Sequence, residues 1–327
     1  MSAPFSANSL ANGAAGRTLI RKSDAFRTDV DKRSFAFEHN LVDHPLLQVP
    51  RLARLGGDLI RNVGEHTVLC SLADSVPNIR KQWTNFTSSQ KIESVIANID
   101  KSGSWIIVKD AQADVEYKAL LDELIDELEV LTDRPLRKDI TWAELALFIG
   151  SPNSVTHYHV DSETNFLFQI HGTKEAHLFD QSDRTILTEE EIEQFYAGNL
   201  NFPVYKPETE AKSTVYDFRT GTGIHLPVNA PHWVKNLGEY SVSLSVLLYL
   251  RPMDARARTY QFNHLLRRMG LRPVAPGTSA MRDTWKAKSL ELISRRTPRT
   301  KHEVIHSGFD RLMKVGSLGG KGKAKAK

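Results

Sequence analysis

Two histidines and an aspartate crowd the stretch Thr156-His157-Tyr158-His159-Val160-Asp161. If that stretch is extended, residues two apart share a face, so His159 and Asp161 present an imidazole and a carboxylate side by side. His157 lies on the same face, which leaves a His157–His159 pair with Asp161 behind it as the competing arrangement. A further imidazole comes from His232, which follows Pro231 and leads into a new strand through Trp233, Val234 and Lys235. Two imidazoles and one carboxylate on one side of an ion leave the opposite positions open, the ligand set of non-heme Fe(II) centres. An H-x-D triplet alone carries little weight, and its combination with a later Pro-bounded histidine carries more.

Groups that could hold an anion stand around this triplet. Lys174 follows the turn Gly172-Thr173. On a strand pointing into a barrel its ammonium needs a counter-charge, because an unpaired buried ammonium is costly. Thr156 can donate a hydroxyl, and Asn165 an amide proton, to the same ligand. Asn236, four residues after His232, either orients a ligand or satisfies a turn.

The elements that must position these residues are short strands. Leu145–Ile149, Asn165–Ile170, Glu175–Phe179, Thr214–Phe218, Gly223–Leu226 and Ser241–Leu250 read as strands separated by Gly, Pro, Asn and Asp. Their spacing predicts a mainly β protein with flanking helices, built on a double-sheet jelly roll. Ahead of them the sequence predicts a helix within Leu46–Asn62 that starts or breaks near Pro50, a strand at Ser104–Val108, and an amphipathic helix capped by Asp114 and running to Leu131. Thr188-Glu189-Glu190-Glu191 is a capping box that opens a short helix through Tyr196, closed by Gly198. After Leu250 the helical period returns. Phe262, Leu265, Leu266 and Met269 form a stripe closed by Gly270, and a second helix is expected over Met281–Ile293. Arg295, Arg296, Arg299 and Lys301 read as a solvated basic segment.

The run Thr156–Lys174, with His232 and the strand Ser241–Tyr249 behind it, resembles the JmjC and cupin-like Fe(II)/2-oxoglutarate-dependent dioxygenases. The likeness is to the asparaginyl-hydroxylase type and its bacterial cupin-like relatives, and it covers roughly Trp105 to Leu250. It implies a double-stranded β-helix core, Fe(II), 2-oxoglutarate as co-substrate and molecular oxygen. It implies His159, Asp161 and His232 as metal ligands and catalytic centre. Thr156, Asn165 and Lys174 then hold 2-oxoglutarate, whose distal carboxylate would be the counter-charge of Lys174. The spacings of six residues from His159 to Asn165 and fifteen from His159 to Lys174 match that family, which favours His159 over His157 as ligand. His157 and His225 are then pocket-lining or structural. The chain departs from the pattern at Leu247, where the asparaginyl hydroxylases carry a further co-substrate asparagine. The implied reaction is hydroxylation of an unidentified protein side chain or small molecule. The alternative is a cupin-like binding or regulatory module without turnover, to which Leu247 lends support.

With 327 residues, 40% of them hydrophobic, the chain can bury a full core. The expected organisation is a flexible leader over 1–16, a mostly helical segment over 17–103, the jelly-roll domain over 104–252, a C-terminal helical segment over 253–315 and a disordered basic tail over 316–327. The formal charge is +4 and the last seven residues hold four lysines, so the remainder is neutral. A nucleic-acid role would rest on that tail alone. No apolar run reaches the roughly 20 residues that span a bilayer, the start lacks the basic-then-apolar pattern of a signal peptide, and Cys70 is the single cysteine. A membrane role is therefore not expected, and the cytoplasm is the expected location. The C-terminal helices are expected to pair two copies into a homodimer, as in the resembled hydroxylases.

Overall fold

The computed structural model of the chain describes residues 18–72, 84–85, 88–199, 201–294, 298 and 300–320. The expected leader, residues 321–327 of the expected tail, and Arg295, Arg296 and Arg299 lie outside the described residues. Among the described residues twelve strands follow one another as β1 Phe35–Glu38, β2 Val68–Leu72, β3 Thr84–Asn85, β4 Ser104–Val108, β5 Ile140–Gly150, β6 Val155–His159, β7 Thr164–His171, β8 Thr173–Leu178, β9 Thr214–Arg219, β10 Thr222–Leu226, β11 His232–Asn236 and β12 Ser241–Leu250. They form a large sheet, β1-β10-β7-β12-β5-β4-β2-β3, and a small one, β6-β11-β8-β9, in which every pairing is antiparallel. This is the expected jelly roll, mainly β with flanking helices.

The large sheet is buried on both faces, and its sequence says how. In β12 the residues alternate, with Val242, Leu244, Val246 and Leu248 in the main core on one side and Ser241, Ser243 and Ser245 buried on the other. The main core is completed by helices α1 Ala25–Thr28, α2 Val49–Asn62, α3 Ser89–Ala97 and α4 Val115–Thr132. Helix α4 starts where Asp114 accepts from the Glu116 and Tyr117 N–H groups, and it buries Leu120, Leu124 and Leu128. A short turn of helix, α5 Leu136–Asp139, feeds β5. On the inner side, Leu167, Leu226 and Val234 help close a smaller core between the two sheets. The serines are tied there by a polar ladder. Ser243 Oγ donates to Gln169 Oε1 at 2.7 Å, Gln169 Nε2 donates to Ser241 Oγ at 2.9 Å, and Ser245 Oγ donates to Asn165 Oδ1 at 2.7 Å.

The capping box at Thr188 opens α6 Glu189–Tyr196, and Gly198 beyond its end adopts a positive φ of 86°. Three further helices follow the barrel: α7 Arg251–Arg268, α8 Ala280–Glu291 and α9 Lys301–Gly320. Three expectations are corrected. Residues 17–103 were expected to be mostly helical, but they also supply β1, β2 and β3, so the large sheet crosses the boundary expected at 104. These strands are too short for their alternation to stand out from the helical stretches around them. Residues 316–320, expected in the disordered tail, continue α9, whose apolar Val304, Ile305 and Phe309 dock it on the rest of the fold. Lys301, expected to be solvated, opens α9 with its ammonium on the buried carboxylate of Glu163. Its partner is 138 positions away, beyond any local pattern.

Candidate metal centre

Strands β6 and β11 are paired so that His159 stands directly opposite His232. Their rings lie 4.1 Å apart, centroid to centroid. Asp161 follows the end of β6, and its loop is pinned to the turn before β11 by the Asn229 N–H donating to the Asp161 carbonyl at 2.9 Å. Asp161 Oδ1 is 3.7 Å from His159 Nε2, and Oδ2 is 4.0 Å from His232 Nε2. One nitrogen from each histidine and a carboxylate oxygen thus lie within 4.8 Å of one another.

The backbone selects which nitrogen each ring presents. His159 Nδ1 is 2.7 Å from the His157 carbonyl, and His232 Nδ1 is 3.0 Å from the Ala230 carbonyl. A carbonyl only accepts, so each Nδ1 carries the hydrogen and each Nε2 turns a lone pair toward Asp161. Such a fixed tautomer is what metal-ligating histidines need. Burial, with His159 close by, pushes His232 down to about 4, so it is neutral near pH 7. Burial opposes ionisation of Asp161, but His159 and His232 beside it hold its carboxyl below the ordinary value. Two imidazole nitrogens and one carboxylate oxygen fit a divalent first-row metal.

The same three side chains line a cavity together with Thr156, Asn165 and Lys174, on apolar walls from Phe148, Leu167, Leu226, Val234 and Leu247. All six expected site residues therefore meet in one place. Lys174 is 4% exposed, and among the described residues it has no hydrogen-bond acceptor or counter-charge. Burial alone pushes it down to about 7. Asn165 reaches Asp161 Oδ2 from Nδ2 at 3.4 Å while its own oxygen accepts from Ser245. Ser245 was missed in the sequence, where it reads as one more small residue of β12. Another cavity, between α4 and β5, has charged walls from Lys118, Asp122 and Arg137 that pair with one another, so it offers no comparable orphan group.

A family model of the cupin-like domain matches residues 71–239. The chain belongs to the cupin-like domain family. Comparison with curated proteins finds no match. Among solved structures the chain is similar to Escherichia coli ycfD at 13% identity, over 92% of this chain and 69% of that one, with a TM-score of 0.49. It is similar to the E. coli ribosomal oxygenase YcfD at 15% identity over 88% and 70% of the two chains, TM-score 0.47. It is also similar to that protein in complex with cobalt and 2-oxoglutarate, at 12% identity over 90% and 65%, TM-score 0.44. Other histidines of this cupin-like chain stand apart from the cluster. His225 is fully buried on the opposite side of β10, between Phe35 and Phe166, and its Nε2 accepts from the Asp31 N–H at 3.0 Å. His157 is outside both the three-residue cluster and the cavity wall. Asn236 satisfies a turn, donating to the Ser151 carbonyl and to Ser154 Oγ. No helix among the described residues is long and apolar enough to cross a membrane.

Proposed function

We propose that this cupin-like protein is an Fe(II)- and 2-oxoglutarate-dependent oxygenase that hydroxylates a protein side chain or a small molecule. The observation that carries the reading is the meeting, in one cavity, of the His159–Asp161–His232 cluster with a buried Lys174 that lacks a counter-charge. A dicarboxylate co-substrate answers both needs, with one end at the metal and the other at the ammonium.

His159, Asp161 and His232 would hold Fe(II) on one side, and Thr156, Asn165 and Lys174 would hold 2-oxoglutarate. With Fe(II) and 2-oxoglutarate bound, molecular oxygen would be the oxidant, one of its atoms entering a substrate C–H bond and the other entering succinate as 2-oxoglutarate loses carbon dioxide. The protein's own contribution is to bind, orient and keep dry. Lys174 and Thr156 give an anion its charge partner and a hydroxyl donor. Asn165, fixed by Ser245, orients the Asp161 carboxylate by donating to its Oδ2. The apolar walls exclude water from the side where a substrate C–H must approach.

Leu247 on the wall supports a second reading, a cupin-like module that binds ligand without turnover. Succinate formation from 2-oxoglutarate, measured with Fe(II) and ascorbate, separates the two. Turnover that depends on Asp161 supports the oxygenase, and its absence leaves the binding module. In keeping with the same reading, the C-terminal helices would pair two copies of the chain.

A further inference from the structure

The inner face of the large sheet does not end at the cavity wall. Leu247 on β12 is paired on one side with Asn165 of β7 and on the other with Glu144 of β5. Paired residues share a face, so Glu144 looks into the same interior, two strand spacings or about 10 Å from Asn165. One step further along, Tyr249 is paired with Trp142. Glu163, between Asp161 and Asn165 in the chain, brings a second buried carboxyl close enough to act on Glu144, and the two bound a polar recess behind the cavity wall. Glu144 is 3% exposed and Glu163 1%.

Burial raises the Glu144 carboxyl above its ordinary value, and ionising it beside Glu163 is expensive unless a cation meets the pair. The only ammonium paired with either among the described residues belongs to Lys301, reaching in from the start of α9 to Glu163. Lys301 also acts on Glu144 and Asp161, and Lys109 acts on Glu144. These ammoniums leave acceptors over. Glu144 Oε1 and the hydroxyl of Tyr249, itself fully buried and close enough to Glu163 to feel its charge, have no hydrogen-bond partner among the described residues. A clamp for α9 needs one carboxylate. This recess has two, with a spare hydroxyl, beside the candidate metal centre.

We propose that this recess binds a cationic group of the primary substrate, the amine or guanidinium of a Lys or Arg side chain or of a free amine, and that Lys301 is its intramolecular stand-in. The proposal rests on the oxygenase reading and narrows its substrate class. A cation seated between Glu144 and Glu163 would displace Lys301 and bring the carbons beside it toward the cavity that holds His159, Asp161 and His232.

The test uses the full chain with Fe(II), 2-oxoglutarate and ascorbate. The added compounds are random-flank peptide pools fixed at Lys, Arg, Gln or Glu, and free L-lysine, L-arginine and spermidine. Equilibrium dialysis of the same compounds gives a readout that needs no turnover. The expected result is that cationic compounds alone raise succinate formation and bind, peptides and free amines being told apart by which arm responds. Glu144→Gln should weaken that binding about tenfold or more, and Lys301→Ala or Lys301→Gln should tighten it by removing the competitor. Cationic compounds that bind no better than the Glu pool overturn the proposal, even where 2-oxoglutarate is turned over. So does a Lys301→Ala protein that is merely less stable, with charge preference and affinity unchanged. Failure of all 2-oxoglutarate turnover, with cation binding intact, instead sinks the oxygenase reading and leaves the recess a cation site.

Discussion

Lys174 lies at about 7 because burial disfavours its charge, well under the ordinary 10.5. The unfolded chain therefore binds more protons between those two values, and this group's contribution to stability rises with pH across that window. A bound dicarboxylate reverses the preference by giving the ammonium its partner. Above about 7 the free protein must take up a proton to bind 2-oxoglutarate, so affinity should fall by up to about tenfold per pH unit. Calorimetry in buffers of different ionisation enthalpy would register that uptake. Lys174→Ala should abolish the slope and cost about 2–4 kcal/mol of 2-oxoglutarate binding while sparing metal binding. Unchanged affinity in that variant would mean that the lysine does not meet the co-substrate. At the metal centre, His159→Ala, Asp161→Ala and His232→Ala should each weaken Mn(II) binding by about 100-fold or more, beyond the losses seen when only outer partners of a ligand are removed. His157→Ala should leave it intact, and the opposite pattern in equilibrium dialysis would overturn this choice of ligands.

At the scale of elements, the site depends on how β7 hands over to β8. Gly172 makes that turn at a φ of +82°, and a Cβ there would lie 2.3 Å from the Tyr240 carbonyl oxygen. Backbone, unlike a flexible side chain, has nowhere to give. Gly172→Ala should therefore cost at least about 2 kcal/mol, combining left-handed strain with a clash. Gly103→Ala is the control, since its φ is +57° but nothing lies within 4 Å of the added Cβ. It should cost only the conformational term, about 1 kcal/mol. Denaturant titration would compare them, and equal losses would show that the packing against Tyr240 is unimportant.

At the scale of the whole molecule, the helices beyond the barrel leave apolar surface uncovered. Helix α7 gives Met253, Ala257 and Tyr260 to the core. Its stripe of Phe262, Leu265 and Leu266 is only half-buried, and Met269 is 67% exposed. Nearby stand Met281, exposed at 81%, and Trp285, whose ring meets Phe262 edge-on with centroids 5.2 Å apart. Apolar surface of this kind suits a second copy of the chain. Replacing Leu265 and Leu266 by glutamates should give a folded monomer, whereas an unfolded or aggregated product would place the stripe in the core. Sedimentation of the wild-type chain as a monomer at high micromolar concentration would end the dimer idea.

By itself the sequence determined what is written in short-range order. The alternation of Ser241–Leu250, the cap at Asp114, the capping box at Thr188 and the close run His159-x-Asp161 all follow from forces acting over a few residues. The spacing to Asn165 and Lys174, added to a resemblance, was enough to nominate the six residues that now share a cavity. Tertiary structure decided what depends on strand register and on distant segments. Pairing β6 with β11 set His232 opposite His159, the backbone carbonyls chose Nε2, and the walls left Lys174 without a partner. The three N-terminal strands were illegible because each is stabilised mainly by its neighbours in the sheet, not by its own pattern. Lys301 was illegible for the same physical reason. A lysine's sequence neighbours say nothing about which carboxylates the fold will bring to it, and here Glu144 of β5 and Glu163, just ahead of β7, lie more than a hundred residues earlier.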